Sequence, residues 1–553
     1  MPARFALRAV ELHGRRMWER AAIVRTLAFM RAHDLDTLVL HESDIVHQIV
    51  YPRAYFDPYT LWSDMPSRRG ENAIFNNRAY MQDLLRLAAE AGIAVYLNVK
   101  EIGFSDEVLA LQPQLFKDGA FCPSEPFWRD YVGHKTDELF TDFPGLAGLI
   151  VSFGSQESRA SRVQNRCKCQ LCRDTSLQDW YGAMIACIHA PVVRHGKRLA
   201  IRDFAYKPAD HAPLIAAMER APEDVVFCIK AMPHDFYLTF PDNPALGRLA
   251  REQWVEYDVL GQFFGWGAMP CFVFDDLAAR MPRWQAAGAS GAIFRIEWER
   301  LNDLDSFDNI SEANLIAAAL LAAGEATAPQ TAVQRWLEAR NLDTGAAEWL
   351  TAILARTPAI MTGAAYTAGF VTADNSMLPR SVERAWWGAE VRDALIPWDA
   401  SRAGALDLTC ARLTSYLTEK NDALAAAQAL CTDIANGCAT LDGSTADAIT
   451  RAFAHLVMWV DGQRLCVSVC LYARWFTTPG ADVTTADLAA MARLLDQLKQ
   501  FADRAQAFVA HEATSHHLRM LIDPLRAHDV LRDGRAAHVA AAAKAGIEAS
   551  TPA

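Results

Sequence analysis

The stretch RLAIRDFAYKPADHAPLIAAMERAPEDVVFCIKAMPHDF, residues 198–236, contains two apolar runs separated by a longer segment with helical periodicity. The runs at 198–203 and 225–230 predict β-strands, and the segment 212–220 predicts the helix between them. A strand, a crossover helix and a second strand form a parallel pair, so the stretch predicts an α/β fold. Polar and aromatic residues follow both runs directly, in RDFAY and KAMPHDF, where parallel sheets carry their functional sites.

The same alternation of strands and helices continues on both sides of this stretch, from the N-terminus to about residue 325. Eight strands are predicted in all: FALRAVE (5–11), TLVLH (37–41), AVYLNV (94–99), GLIVSF (148–153), RLAIRD (198–203), VVFCIK (225–230), WVEYDVLGQ (254–262) and GAIFRIE (291–297). Eight strand–helix units over about 325 residues match the count and length of a (β/α)₈ or TIM barrel. A doubly wound open sheet is the second-best prediction, but no strand is followed by its Gly-rich phosphate loop.

From about residue 324 the pattern changes to long Ala- and Leu-rich amphipathic segments. The segments 409–435, 444–475 and 484–508 predict the helices of an all-α C-terminal domain. We therefore predict a barrel domain over residues 1–325 and a helical domain over 326–535. The small-residue segment 536–553 predicts a flexible tail.

Composition and charge exclude several classes of protein. The chain has 553 residues, 52% of them hydrophobic and 22% charged, enough apolar material for two cores. Its net charge of -12 argues against a general nucleic-acid or membrane-surface binder, because both need a positive field. We find neither a secretory signal pattern nor an apolar segment long enough to span a bilayer, so we expect a cytoplasmic protein with reduced cysteines.

Six stretches of the barrel segment carry a family resemblance by their order and spacing: GIAVYLNVKE (92–101), FWRDYVGHKTDELFTDFPGLAGLIVSFGSQES (127–158), LAIRDFAY (199–206), VVFCIKAMPHDF (225–236), WVEYDVLGQFFG (254–265) and SEANLIAAALLAAGE (311–325). They resemble glycoside hydrolase family 67, the α-glucuronidases, over roughly residues 23–325. The sixth-strand segment, 225–236, is the most specific of them. The resemblance implies a TIM-barrel glycosidase without a cofactor, whose helical domain shapes the cleft or mediates a homodimer.

Glycoside cleavage needs one carboxylic acid and a second carboxylate at the same mouth. The resemblance implies that Glu157, after the fourth strand, is the acid and that Asp235, after the sixth, is the base. We expect partial burial to raise the pKa of Glu157, the alternative being a solvated glutamate paired with Arg159 or Arg162. For Asp235 the alternative is a helix cap or a turn.

Gln262 stands where the family has a catalytic Glu at the end of the seventh strand. An amide cannot act as a base, so Asp235 would be the sole base, or Gln262 would position the water or a sugar hydroxyl. Arg202 and Lys230 match the residues with which α-glucuronidases hold the substrate carboxylate, since a guanidinium fork and an ammonium both suit that group. The alternative is that each neutralises a nearby carboxylate of the barrel.

Four further carboxylates are candidate site residues. Glu256 and Asp258 point to one side of the seventh strand, and Glu297 and Glu299 follow the eighth. They either bind the substrate or form a buried ion-pair network. Trp266 is a candidate sugar-stacking platform, although aromatic residues at such density also form cores.

The run CKCQLC places Cys167, Cys169 and Cys172 close together after the fourth strand. Three thiolates at this spacing could bind a structural Zn²⁺, and the alternative is a cluster of reduced cysteines. The candidates for a fourth ligand are His189, His195 and Cys187. We predict no catalytic metal, because no HxH or HExxH pattern lies on a barrel strand.

The leading hypothesis is therefore an exo-acting, α-glucuronidase-like glycoside hydrolase for uronic-acid-containing oligosaccharides, with a Glu acid and an Asp base. Two alternatives stay open. One is an exo-glycosidase for a neutral or N-acetylated sugar, and the other is a non-catalytic carbohydrate-binding barrel. Hydrolysis of aryl glycosides distinguishes an enzyme from a binding protein.

Overall fold

Eight parallel strands close into a barrel in the computed structural model of the chain. The structure describes residues 3–42, 45–50, 52–55, 74–117, 119–155, 157–163, 167–298, 304–325, 327–373, 375–437, 441 and 443–546. The strands are β1 (Leu7–Leu12), β2 (Thr37–His41), β3 (Ala94–Lys100), β4 (Gly148–Phe153), β5 (Arg198–Asp203), β6 (Val226–Lys230), β7 (Gln253–Asp258) and β8 (Ala289–Arg295). Each strand pairs with its sequence neighbours, and β8 pairs with β1, where Glu11 lies opposite Arg295. The predicted (β/α)₈ barrel is confirmed.

All eight predicted strands are present, and the largest difference in their ends is at β7. This strand ends at Asp258 rather than at Gln262. The Asp258 carboxylate accepts hydrogen bonds from the backbone N–H groups of Gly261 and Gln262, at 3.0 and 2.8 Å, and these bonds turn the chain out of the sheet. Val259 and Leu260 continue the apolar pattern of the strand in the sequence, but they belong to the turn.

Helices connect consecutive strands around the outside of the barrel, except between β6 and β7, where residues 231–252 form turns. The barrel helices are α1 (Arg20–Ala32), α2 (Ile74–Glu90), α3 (Asp106–Leu111), α4 (Pro126–Asp142), α5 (Gln170–Asp174), α6 (Leu177–Arg194), α7 (Pro208–Arg220), α8 (Phe274–Ala286) and α9 (Glu312–Ala322). Helix α6 shows why they form: the Ser176 side chain caps its first turn by accepting from the Asp179 N–H at 3.0 Å. Trp180, Met184 and Ile188 then recur at helical spacing and are buried on one face.

The interior of the barrel has an apolar lower half and a polar upper half. Ten buried side chains fill the lower half: Leu7, Ala9, Val39, Tyr96, Ile150, Ala200, Val226, Cys228, Trp254 and Ile293. Because side chains alternate along a strand, the next inward positions lie at the carboxyl ends, and there they are polar. Glu11, Asn98, Arg202, Glu256 and Arg295 are all buried at these ends. The packed floor therefore supports a layer of charges directly below the loops that follow the strands.

The region after the barrel is helical, as predicted. Its helices are α10 (Pro329–Ala339), α11 (Ala347–Leu354), α12 (Thr357–Ala365), α13 (Val382–Trp387), α14 (Cys410–Gly437), α15 (Gly443–Thr477), α16 (Thr485–His511), α17 (His516–Leu521) and α18 (Pro524–Ala545). The long helices α14, α16 and α18 pack against α15. Helix α18 continues past Ala536, where the sequence predicted a flexible tail, and buries His538 and Ala542. The prediction of a tail is thus corrected for the residues up to Ala545, and residues 547–553 lie outside the described part of the chain.

By length and composition alone, α15 is apolar enough to cross a bilayer, so the statement from the sequence that no segment is long and apolar enough is corrected. In the structure 78% of its most apolar window is buried inside the protein. The apolar composition of α15 is accounted for by its central place among α14, α16 and α18, because a helix surrounded by other helices is apolar on all sides.

Candidate active site at the barrel mouth

The polar layer below the mouth is built around Arg202 and Glu256. The Arg202 guanidinium donates to both carboxylate oxygens of Glu256, with Nη2 2.8 Å from Oε1, and Arg295 Nη2 donates to the same oxygen at 2.6 Å. Burial raises the pKa of Glu256, but the two guanidinium groups outweigh it and hold this pKa well below its usual value. Arg202 is 0% exposed. Arg202 and Glu256 thus form a buried ion pair, the alternative stated for both from the sequence, in place of the predicted contact with the substrate.

Glu11, His41 and Asn98 extend this layer across the barrel. Glu11 Oε1 lies 3.0 Å from His41 Nδ1 and accepts from Arg295 Nε at 3.3 Å. Burial and the neighbouring carboxylate of Glu256 raise the pKa of Glu11 to about 7. The sequence analysis missed these residues, although a polar side chain at an inward, carboxyl-end position of β1, β2, β3 or β8 is a signal that could have found them.

Lys230 stands at the end of β6 and holds Asp235. Its Nζ donates to Asp235 Oδ1 at 2.8 Å and to the backbone carbonyl of His234 at 2.6 Å. Burial raises the pKa of Asp235, but Lys230 outweighs it and lowers this pKa. Asp235 lies in a turn of the β6–β7 connection, and its side chain is 21% exposed. Lys230 is thus paired within the protein, which is the alternative stated for it from the sequence.

Glu157 has the same arrangement after β4. Lys100, at the end of β3, is buried and places its Nζ 2.7 Å from Glu157 Oε2, whose side chain is 48% exposed. Burial raises the pKa of Glu157, but Lys100 and then Lys230 outweigh it and lower this pKa. The expectation of a raised pKa is therefore wrong, and the partner of Glu157 is Lys100 rather than Arg159 or Arg162.

The two carboxylates share one mouth, as predicted for residues that follow the strands of a parallel barrel. The charge of Lys230 lowers the pKa of Glu157, and that of Asp235 raises it. The ring of Phe204, directly after β5, contacts both lysines: its centroid is 3.5 Å from Lys230 Nζ and 5.4 Å from Lys100 Nζ. The mouth thus holds two partly exposed, ionised carboxylates whose lysine partners both contact the ring of Phe204.

Asp258 and Gln262 serve the loop after β7. Asp258 is fully buried and accepts backbone N–H groups, and burial raises its pKa, so its predicted contact with the substrate is corrected to a role in the turn. Gln262 accepts from Arg295 Nη1 at 3.4 Å and donates to Asn375 Oδ1 at 3.3 Å. It is buried between the polar layer and the C-terminal region. A water-positioning role for its amide stays a prediction.

Two of the remaining candidates, Glu297 and Trp266, are buried after β8 and β7. Glu297 is fully buried, accepts the Arg16 N–H at 3.0 Å, and has its pKa raised to about 8 by burial. Trp266 is also buried and packs 5.0 Å from Trp298 and 5.2 Å from His517 of α17, measured between ring centroids. The prediction of an open sugar platform at Trp266 is thus corrected to a contact between barrel and helices. Glu299 lies outside the described residues.

The three cysteines of the CKCQLC run do come together, and Cys122 joins them. The predicted fourth ligands are occupied elsewhere: His189 Nε2 lies 2.9 Å from Asp224, and His195 Nε2 lies 3.0 Å from Asp137. Cys187 also stands apart from the group. This prediction is therefore corrected, because the fourth thiol comes from the connection after β3.

Glu11, His13 and His41 form a second group whose atoms lie close enough for a metal ion. The two rings are stacked 3.8 Å apart and almost parallel, at 4°. Imidazole lone pairs lie in the ring plane, so two parallel stacked rings do not direct them at a common ion. Among the described residues of the mouth, this group is therefore a poor metal centre.

The fold and the mouth define a class of protein, a (β/α)₈ barrel with accessible carboxylates and a helical C-terminal region. No family model and no curated protein matches the chain. Among solved structures it is similar to a GH138 enzyme targeting pectin rhamnogalacturonan II, with a TM-score of 0.65 and 10% identity over 97% of this chain and 65% of that one. The chain thus spans about two thirds of the length of that enzyme.

Two further structures are similar at a lower level. The GH20 β-N-acetylhexosaminidase of Streptomyces coelicolor A3(2) has a TM-score of 0.41 and 16% identity over 63% of this chain and 70% of that one. An O-GlcNAc hydrolase mutant of Thermobaculum terrenum has a TM-score of 0.41 and 12% identity over 98% and 97%. At such identities the likeness to the GH138 enzyme establishes a shared fold, and the resemblance to family 67 stays a prediction.

Proposed function

We propose that this protein is a glycoside hydrolase in which Glu157 and Asp235 are the pair of carboxylates. The observation that carries the proposal is the convergence of these two accessible carboxylates on one barrel mouth, each held by a buried lysine. Glycosidases need two carboxyl groups at one site, whereas a barrel that only binds its ligand does not. The similarity of the whole chain to a GH138 enzyme supports the same class through the fold.

Asp235 suits the role of base or nucleophile. Lys230 keeps it ionised near neutral pH, which both roles require. Glu157 suits the role of acid by its exposure, but it must first take up a proton. Because Lys100 stabilises its ionised form, the proton has to arrive when the substrate displaces water or competes for Lys100.

The finer proposal is an exo-acting enzyme for uronic-acid-containing oligosaccharides, as the family resemblance implies. Arg202 is paired with Glu256 and does not support this finer proposal. The residue that supports it is Lys100. A substrate carboxylate that pairs with this lysine removes the cation that holds Glu157 ionised, so the pKa of Glu157 rises and the residue becomes an acid. An acidic sugar would thereby complete the catalytic pair.

The test is hydrolysis of the nitrophenyl and the methyl glycosides of glucuronic acid, glucose and N-acetylglucosamine by the full chain, by two variants and by one control variant. D235N should lose about 10²–10⁴-fold in kcat. E157Q should lose far more on substrates with poor leaving groups than on activated aryl glycosides, because protonation matters less for the latter. E219Q, an exposed carboxylate on α7, is the matched control and should match the wild type.

A second candidate is a non-catalytic carbohydrate-binding barrel. The observation that favours it is the ionised state of both accessible carboxylates, which leaves neither of them protonated at neutral pH. Oligosaccharide binding measured by calorimetry, without hydrolysis of any aryl glycoside between pH 4 and 8, would establish this second candidate and exclude the first. These pH limits run from the ordinary pKa of a carboxylic acid, about 4, to just above neutral pH.

A further inference from the structure

Four cysteines converge beside the barrel mouth: Cys122, Cys167, Cys169 and Cys172, here named the cysteine cluster. Their sulfur atoms all lie within 4.8 Å of one another. Cys122 Sγ is 3.4 Å from Cys172 Sγ and 3.5 Å from Cys169 Sγ, and three of the four residues are buried. The proposed glycosidase mechanism uses none of these thiols.

The sulfur distances match those of a tetrahedral metal site. A disulfide would bring two sulfurs to about 2.0 Å, much closer than the distances in the cluster. Four thiolates at about 2.3 Å from one Zn²⁺ stand about 3.8 Å apart at the corners of a tetrahedron. The observed separations of 3.4 and 3.5 Å are near that value.

Burial raises the pKa of the Cys122 and Cys167 thiols, and nearby backbone N–H groups act in the opposite direction. The backbone N–H of Ser124 donates to the Cys122 sulfur, and the N–H of Cys169 donates to the Cys167 sulfur. The cation of Lys117 pairs with Glu125 and is close enough to act on Cys122 and Cys169 as well. Hydrogen bonds and cations around metal-bound thiolates offset their charge, and four sulfur ligands select zinc over harder cations.

We propose that the cysteine cluster binds a structural Zn²⁺ ion. Four protein ligands close the coordination sphere, so the ion has no position for a substrate and is not catalytic. It joins two loops: Cys122 belongs to the connection between β3 and α4, and the other three belong to the connection between β4 and α6. The cluster therefore ties together two segments that are far apart in sequence.

The cysteine cluster lies where a bound metal would affect the loops of the barrel mouth. Trp128 Nε1 of α4 donates to the Cys122 carbonyl at 3.0 Å, and Trp180 Nε1 of α6 donates to the Pro123 carbonyl at 2.8 Å, so barrel helices anchor one side of it. One of the two joined connections starts directly after Lys100, and the other carries Glu157. Loss of zinc should loosen this lysine–carboxylate pair. The consequence for hydrolysis rests on the proposed function, whereas zinc binding itself does not.

The test begins with the metal content of the full chain purified under reducing conditions without chelator. We expect about one zinc ion per chain by plasma mass spectrometry. Exchange with Co²⁺ should give thiolate charge-transfer bands and the intense visible bands of tetrahedral cobalt. A chain without zinc that also fails to take up Co²⁺, iron in place of zinc, or two disulfides within the cluster by peptide mapping would each overturn the proposal.

Variants locate the metal in the cluster. C169S removes a partly exposed ligand and should reduce bound zinc at least tenfold, whereas C169H supplies a nitrogen ligand and should retain it. C410S changes an exposed cysteine outside the cluster and should keep full zinc content. Equal zinc in C169S and the wild type would contradict the assignment, and equal loss in C169S and C169H would indicate a packing role for the thiol. Glycosidase activity is measured separately, so its absence would not bear on zinc binding.

Discussion

Replacing Arg202 by Met tests whether this guanidinium serves the barrel or the substrate. Arg202 is 0% exposed and Glu256 is 1% exposed, and the two side chains share a bidentate ion pair. Removing one partner of such a pair leaves a buried charge uncompensated and costs about 3–5 kcal/mol. Because Arg295 still donates to Glu256 at 2.6 Å, we expect a loss at the lower end of this range, about 3 kcal/mol.

Thermal unfolding followed by calorimetry measures this loss. At about 2 °C per kcal/mol for a domain of this size, R202M should lower Tm by about 6 °C. R202M/E256Q should recover part of the loss, because the double variant no longer buries an uncompensated carboxylate. R86M is the matched control, since Arg86 pairs with carboxylates on the exposed face of α2, and its Tm should be unchanged.

Two results would refute the reasoning. An R202M variant with wild-type Tm and a selective loss of glucuronide hydrolysis would show that the guanidinium holds the substrate. A double variant less stable than R202M alone would show that Glu256 is not the group left uncompensated. If glucuronide and glucoside activity fall together with stability, the cation belongs to the barrel, as its contacts indicate.

Two further predictions concern protons. Glu297 has a pKa of about 8 in the folded protein against 4.5 as its ordinary value, so the native state keeps a proton that the unfolded state loses, and stability falls as pH rises through this window. E297Q cannot ionise and should become progressively more stable than the wild type across it in Tm measurements, whereas parallel pH curves would contradict the assignment. K100M removes the cation that lowers the pKa of Glu157, so the alkaline limb of kcat/KM on a neutral glycoside should move to higher pH. An unmoved limb would mean that Glu157 is not the acid.

The barrel and the place of the candidate site could be predicted from the sequence because they depend on local patterns. Apolar runs such as VVFCIK form strands wherever both faces of a sheet are buried, and all eight occur in the chain. The position of Glu157 and Asp235 follows from the rule that residues after parallel strands emerge on one face. These predictions needed no knowledge of how distant side chains pair.

The partners of the site residues could not be predicted because they depend on distances across the folded barrel. Arg202 and Glu256 are 54 residues apart and lie on strands separated by β6, so the sequence could not decide between a substrate carboxylate and an internal one. Cys122 lies 47 residues from Cys169 and enters the cluster through a loop with no spacing motif of its own. Lys100 is one of several inward polar residues, and its pairing with Glu157 follows from the path of the β4–α6 loop.

The lysines at the mouth make the proton on Glu157 the central question for the proposed mechanism. In the free protein Lys100 favours the ionised form of Glu157. Glu157 can therefore act as an acid only if the bound substrate raises its pKa. The pH dependence of kcat/KM reports the free enzyme and that of kcat reports the complex. If a substrate carboxylate pairs with Lys100, the alkaline limb of kcat for a glucuronide should lie at higher pH than its kcat/KM limb, while the two limbs differ less for a glucoside. Coincident limbs on the glucuronide would show that the acidic substrate does not move the proton, and the acidic-substrate proposal would then lose its physical basis.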